Sequence, residues 1–310
     1  MLFLAGGAHS VIDYVTGARR LSDRSITAFK TNLERRRSWA ERSGAAYVHL
    51  LTPDKQSFLP ELWPLKDKPL IRLGEEILAS LSGDDHDIVY PIELLGRSGE
   101  RNVWQVDTHY SDRGALNVAT ALVEKLTGEP QQTMHERLLA RINTPVTMSG
   151  DLGSKLNPPR QSTEPSYTPE FEGRHLHNNL VDGNDGIIDI HLNASAPYAK
   201  RLAVMGDSFG RMECRFLRYW FREIVFLRTR FFHPELLELF RPHYVVSQNV
   251  ERYLDNIAFD GMRSHFLLMP HEKDRSYDPP KDFVAVLTDL LAVGEPRYDA
   301  FLRREFGARD

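Results

Sequence analysis

A serine hydroxyl is a poor nucleophile until a neighbouring base takes its proton, so acyl chemistry calls for a serine held at a turn within reach of a histidine. Ser208 has that setting. It follows a buried-strand pattern, Arg201–Met205 (RLAVM), through Gly206 and Asp207, and it precedes Phe209 and Gly210 at the start of a helical pattern. A serine at a strand-to-helix turn presents its hydroxyl at the carboxyl edge of a sheet, where open α/β folds bind ligands. The adjoining helix N-terminus supplies amides for an oxyanion, with the Ser208 N–H as the expected donor. Gly206 is expected to allow a tight turn there. A capping role is the alternative, with Asp207 or Ser208 satisfying the first amides of the helix.

A second segment supplies what the serine lacks. In Trp104–Ala115 (WQVDTHYSDRGA), Asp107 and His109 lie two apart at the end of an apolar stretch and before a capped helix. In extended backbone, residues i and i+2 share one face, so both side chains can meet Ser208 at the carboxyl edge. Serine as nucleophile, histidine as base and aspartate as the group that orients and stabilises the imidazolium complete a triad. The alternative is a satisfied buried histidine beside a capping aspartate.

Other polar residues say less. Lys55 and Arg252 fall near predicted strand ends, where a cation would steady an anionic sugar or acyl donor, or else join a surface ion pair. His175 and His177, and His86 among Asp84, Asp85 and Asp87, have no clear third ligand, and no metal or cofactor is expected. The one cysteine, Cys214, excludes an internal disulfide and falls in the apolar pattern of Phe209, Met212, Phe216 and Tyr219.

The positioning elements alternate. Ser22 caps a helix that runs to Gly44, and Ala45–Leu51 reads as a buried strand. A helix over Leu73–Leu81, a strand over Asp87–Tyr90, a short strand over Asn102–Val106 and a helix over Ser111–Leu126 follow. Beyond Arg201–Met205 come a long helix over Phe209–Leu227, a strand over His243–Gln248 and a helix over Phe283–Ala292. Such alternation predicts an α/β fold, a parallel sheet flanked by helices, in one domain over 1–310. Residues 150–200, rich in Pro, Asn, Gly and Ser, are expected to form a long loop or insertion that shapes a cleft or runs over the surface.

Composition bounds the partners. With 41% hydrophobic and 26% charged residues the chain is an ordinary globular protein, and its net charge of -4 without a long basic block argues against nucleic acid. The basic clusters Arg19-Arg20, Arg35-Arg36-Arg37 and Arg303-Arg304 read as solvated helix faces. Met1–Gly7 has no positive n-region and too short an apolar run for a signal peptide, so the expected location is the cytoplasm.

Read together, DTHYSDRGA and GDSFG resemble the SGNH-hydrolase-like domain of the alginate O-acetyltransferase family of the AlgJ and AlgX type, in which the Asp-His pair precedes the serine. Ordinary SGNH esterases place both after it. LFLAGG near the start, LTPDKQSFLPELWP at 51–64, SGDLG at 149–153 and RPHYVVSQNVERYL at 241–254 resemble segments of that family in the same order, over residues 1 to about 255. The resemblance implies a flavodoxin-like parallel sheet, Asp107, His109 and Ser208 as the triad, and transfer of acetyl to a carbohydrate through an acetyl-serine. It further implies an acetyl donor, with a membrane-bound acetyl-transfer partner, and a periplasmic location. The absence of an evident carbohydrate-binding domain after residue 255 makes a smaller glycan, lipid-linked sugar or nucleotide sugar a reasonable acceptor. A carbohydrate O-acetyl esterase with the same site and a non-catalytic glycan-binding or assembly protein are the rival readings.

Overall fold

The computed structural model describes all residues except 82, 84–85, 98–100, 169–170, 180–184, 274–276, 292–299 and 301–310. The strands among the described residues are, in chain order, β1 (Ala46–Thr52), β2 (Ile88–Val89), β3 (Ile142–Met148), β4 (Ser162–Tyr167), β5 (Arg174–His177), β6 (Ile188–Leu192), β7 (Tyr198–Gly206), β8 (Phe221–Arg228) and β9 (Tyr244–Val250). Seven of them form one sheet in the order β2-β1-β9-β7-β8-β6-β5, and β3 pairs with β4 in a separate antiparallel hairpin. From β2 to β8 every pairing is parallel, while β6 and β5 are added antiparallel. Parallel strands of one sheet need crossovers: helix Ser208–Leu217 joins β7 to its neighbour β8, and helix Pro234–Phe240 carries the chain from β8 past β7 to β9.

Both faces are covered, which explains the unbroken apolar runs of the central strands. On one face Leu202 and Val204 pack with Phe209, Phe216 and the Leu116–Val123 stretch of helix Asp112–Thr127. On the other, Ala203 and Met205 meet Phe232, Leu236, Phe240 and, from helix Lys281–Leu291, Phe283. Each fully buried Leu or Phe contributes about 1.5–3 kcal/mol relative to leaving it in water. The helix Asp23–Ser43 is bounded as its residues predict: Ser22 Oγ accepts from the Ser25 amide, and Gly44 takes a φ of 71°. Buried Cys214 belongs to the first core.

Four expectations are corrected. The predicted helix over Phe209–Leu227 ends at Leu217, and β8 begins at Phe221. A short apolar run such as FREIVFLR suits either element, and Val225, with Ile224 beside it, favours the doubly covered strand. No strand forms over Asn102–Val106; only an isolated bridge joins Val103 to Tyr110. Residues 150–200 are not strand-free: they carry β4, β5, β6 and the start of β7, joined by irregular segments. Arg36 is buried rather than solvated: its Nε and Nη2 bind Asp260 at 2.7 and 2.8 Å. Arg303-Arg304, and the last residue of the predicted Phe283–Ala292 helix, lie outside the described residues. Among the described residues no helix is long and apolar enough to cross a membrane.

Candidate active site

The registers bring three strand ends to one edge. Gly206 is level with Arg228 of β8, and Met205 with Ser247 of β9, so the chain leaves β7 beside Gln248. Gly206 is needed for that closeness rather than for an unusual φ: a Cβ there would lie 2.5 Å from Gln248 Oε1 and 2.9 Å from its Cβ. The same Gln248 Oε1 accepts from the Asp207 amide at 2.8 Å and the Gly210 amide at 3.3 Å. Asp207 is the helix cap: Oδ1 accepts from Phe209 N–H at 2.8 Å, and Oδ2 from Val250 N–H at 2.9 Å. Burial pushes the Asp207 carboxyl up, against the pull of these amides and of Arg252. With the cap assigned to Asp207, the Ser208 hydroxyl is released from that duty. Ser208 is the first helical residue, a position whose N–H has no intrahelical acceptor.

That hydroxyl meets a histidine. His109 Nε2 lies 2.7 Å from Ser208 Oγ, and His109 Nδ1 lies 2.7 Å from Asp107 Oδ1. The two residues are joined by a bent turn and not by extended strand: the His109 amide also donates to Asp107 Oδ1, at 2.8 Å. The imidazole packs against the Phe209 ring at 4.8 Å, so the residue after Ser208 helps to hold the His109 ring. The turn reaches the sheet edge because Gly114, on the first turn of helix Asp112–Thr127, lets the chain at Asn102 pass where a Cβ would come 2.0 Å from its carbonyl oxygen.

A support for Asp107 was not foreseen as part of the site. The Asp151 amide donates to Asp107 Oδ2 at 2.8 Å, and Asp151 in turn accepts from Thr108 N–H at 2.7 Å and Thr108 Oγ1 at 2.5 Å. Gly150, at φ 60°, permits this approach: a Cβ there would stand 2.7 Å from Asp107 Oδ2. The signal was the SGDLG segment. Burial works to raise the Asp107 carboxyl, but the bonds from the His109 ring and amide and from the Asp151 amide hold it well below the usual carboxylate range. Asp107, His109 and Asp151 are close enough to resemble a metal's ligands, within 4.8 Å of one another. Their carboxylate oxygens, however, already accept from N–H and O–H groups, which is the arrangement of an anchored base.

The two candidate cations are used internally. Lys55 is 4% exposed and donates to the Trp104 carbonyl at 2.5 Å and the Leu2 carbonyl at 3.3 Å. Burial lowers its pKa to about 8, against the attraction of Asp107 and Asp151. Arg252 is a buried partner of Asp54, its guanidinium 5.6 Å from the Phe209 ring centre. Both are therefore buried and bonded within the chain. His175 and His177, expected in a loop, lie on edge strand β5, with His175 opposite His191. The Asp84 and Asp85 neighbours of His86 fall outside the described residues, and Asp87 binds Arg37.

A cavity of about 180 Å³ opens at the same edge. Gly206 and Asp207 form one wall, and Thr229, Asn249, Tyr253 and His9 contribute others. Ser208 and His109 do not line it directly, so the cavity adjoins the Ser208 turn rather than containing its hydroxyl.

No family model and no curated protein matches this chain. Solved structures do. PatB1 of Bacillus cereus aligns at 13% identity with a TM-score of 0.58, covering 76% of this chain and 92% of that one. A DHHW family protein from Eubacterium siraeum aligns at 15% identity with a TM-score of 0.55, covering 76% and 86%. The O-acetyltransferase domain of Pseudomonas putida AlgJ aligns at 13% identity with a TM-score of 0.50, covering 81% and 91%. At these identities the likeness is one of architecture, and this chain has the SGNH-hydrolase-like α/β fold.

Proposed function

We propose that this protein is an O-acetyltransferase that moves an acetyl group to a carbohydrate hydroxyl through an acetyl-Ser208 intermediate. The observation that carries the reading is the unbroken line from Asp107 through His109 to Ser208, with both links at 2.7 Å. The likeness in fold to a domain named as an O-acetyltransferase supports the choice of acyl group.

In the first half-reaction, Ser208 Oγ attacks the donor's acetyl carbonyl as its proton passes to His109 Nε2. The oxyanion of the tetrahedral intermediate faces the helix N-terminus and the Ser208 amide. Collapse breaks the bond to the leaving group, which takes the proton from His109. In the second half, the acceptor hydroxyl gives its proton to His109 as its oxygen attacks the acetyl-serine, and Ser208 leaves with that proton. Asp107 remains ionised throughout, holding Nδ1–H and stabilising the imidazolium.

The test is acetate release from a chromogenic acetyl ester by the wild type and by Ser208→Ala, with and without sugars, and mass spectrometry for acetylated Ser208. Loss of release and of the adduct in the variant is the expected result. Wild-type turnover by Ser208→Ala would sink the assignment, and acetyl passing only to water would make the protein an esterase.

A further inference from the structure

The cavity beside Ser208 carries a second histidine–carboxylate pair. His9 Nδ1 lies 2.7 Å from Asp255 Oδ1, the same atoms at the same separation as in His109 and Asp107. The pair is held in place. The His9 ring packs against Tyr253 with centres 4.7 Å apart, and the Arg252 guanidinium lies 5.5 Å from the Tyr253 ring centre. The backbone turns around His9 through left-handed Gly7 and Ser10, at φ 84° and 42°. For Ser10 that conformation is uncommon and points to a position that the surrounding structure imposes.

A carboxylate at Nδ1 draws the ring proton to that nitrogen, which leaves the Nε2 lone pair of the neutral ring as a hydrogen-bond acceptor. His9 is a wall residue of the cavity, together with Gly206, Asp207 and the amide side chains of Asn249 and Asn256. Gly206 and Asp207 are the two residues before Ser208, so a group that binds there lies beside the Ser208 turn, among the His9 ring and the amide side chains. Resting on the reading of Ser208 as the acetyl carrier, we propose that His9, oriented by Asp255, binds the acyl acceptor by taking a hydrogen bond from a second hydroxyl, adjacent to the one that attacks. His109 takes the proton of the attacking hydroxyl, and no bond is made or broken at His9. The favoured acceptor class is a diol on adjacent carbons, as on a sugar ring, over water or a monohydric alcohol.

The experiment charges the enzyme with p-nitrophenyl acetate in equal concentrations of methyl α-D-glucopyranoside and methanol. Acetylated glucoside, methyl acetate and free acetate are then quantified by NMR. In the wild type the glucoside is the better acceptor per mole. His9→Ala lowers the glucoside-to-acetate ratio about tenfold, the worth of one lost hydrogen bond in a polar site, while the methanol-to-acetate ratio moves by about twofold or less. Asp255→Ala lowers the glucoside ratio in the same direction. Because each ratio is taken within one reaction, a poorly folded variant lowers both branches and leaves the ratios alone. Equal changes in both ratios, no change in either, or a wild type that does not prefer the glucoside overturns the proposal. Failure of the underlying reading looks different: Ser208→Ala then releases acetate like the wild type, whatever His9 does.

Discussion

Replacing Asp107 by Asn tests the site at its most constrained atom. Asp107 Oδ1 accepts two N–H groups from His109, and Oδ2 accepts the Asp151 amide. An Asn cannot meet all three. With its NH2 at the Oδ2 position it opposes the Asp151 N–H; flipped, it opposes the His109 amide and turns the ring to the tautomer that points Nε2–H at Ser208. In that tautomer Nε2 is no longer a base. The imidazolium also loses its counter-charge, and opposite charges about 4 Å apart attract by about 4 kcal/mol at an effective dielectric constant near 20. That is on the order of a thousandfold in rate, and the tautomer error extends the loss toward ten-thousandfold. The assay is kcat/KM for a chromogenic acetyl ester, with KM expected to stay within about threefold because the change acts on the transition state. A drop smaller than about tenfold would refute the assignment of Asp107 as the group that orients the base. The same carboxyl makes a stability prediction. Its folded pKa lies below the unfolded value, so its contribution is present above about pH 4 and fades as the pH falls further. Asp107→Asn therefore narrows its stability deficit in acid, and a deficit constant from pH 7 to pH 2 by urea unfolding contradicts the network.

Gly206→Ala places a methyl group 2.5 Å from Gln248 Oε1 and is expected to cost about 1–3 kcal/mol, read as a lower urea midpoint; an unchanged midpoint would show that Gln248 is free to move. For Lys55 the folded pKa, at about 8, is below the unfolded value of 10.5, so the folded state sheds its proton first. Stability then rises with pH between those values, and the wild type should gain on Lys55→Met by up to about 3 kcal/mol from pH 7.5 to pH 10.5. A difference between the two proteins that does not vary with pH would show that the ammonium is not desolvated.

The legible part of this protein was the part written in local spacing. Strand-to-helix alternation was enough for the α/β class, because parallel strands buried on both faces leave apolar runs and their crossovers leave helical ones. Ser22 and Gly44 marked their helix ends through capping chemistry that needs no tertiary partner. The GDSFG and DTHYSDRGA segments marked Asp107, His109 and Ser208 as candidates by type and order. Where a short apolar run suits helix and strand alike, as in FREIVFLR, local pattern ran out, and packing between β7 and β6 made it β8.

Distances across the fold were decided by tertiary structure alone. Asp107 and His109 meet through a turn braced by Asp151, whose amide comes from 44 residues along the chain. The burial of Lys55 and Arg252 has a related reason. A cation near a strand end looks available in sequence, but whether it faces solvent or a buried carbonyl depends on what the rest of the chain lays over it. For Lys55 the covering includes the Leu2 and Trp104 carbonyls. Residue types and order thus came from the sequence, whereas the 2.7 Å links of the triad and the cavity beside it came from the registers that bring Gly206, Arg228 and Gln248 to one edge. Spacing along a chain specifies which side chains share a local face; which faces meet is set by the packing of the whole.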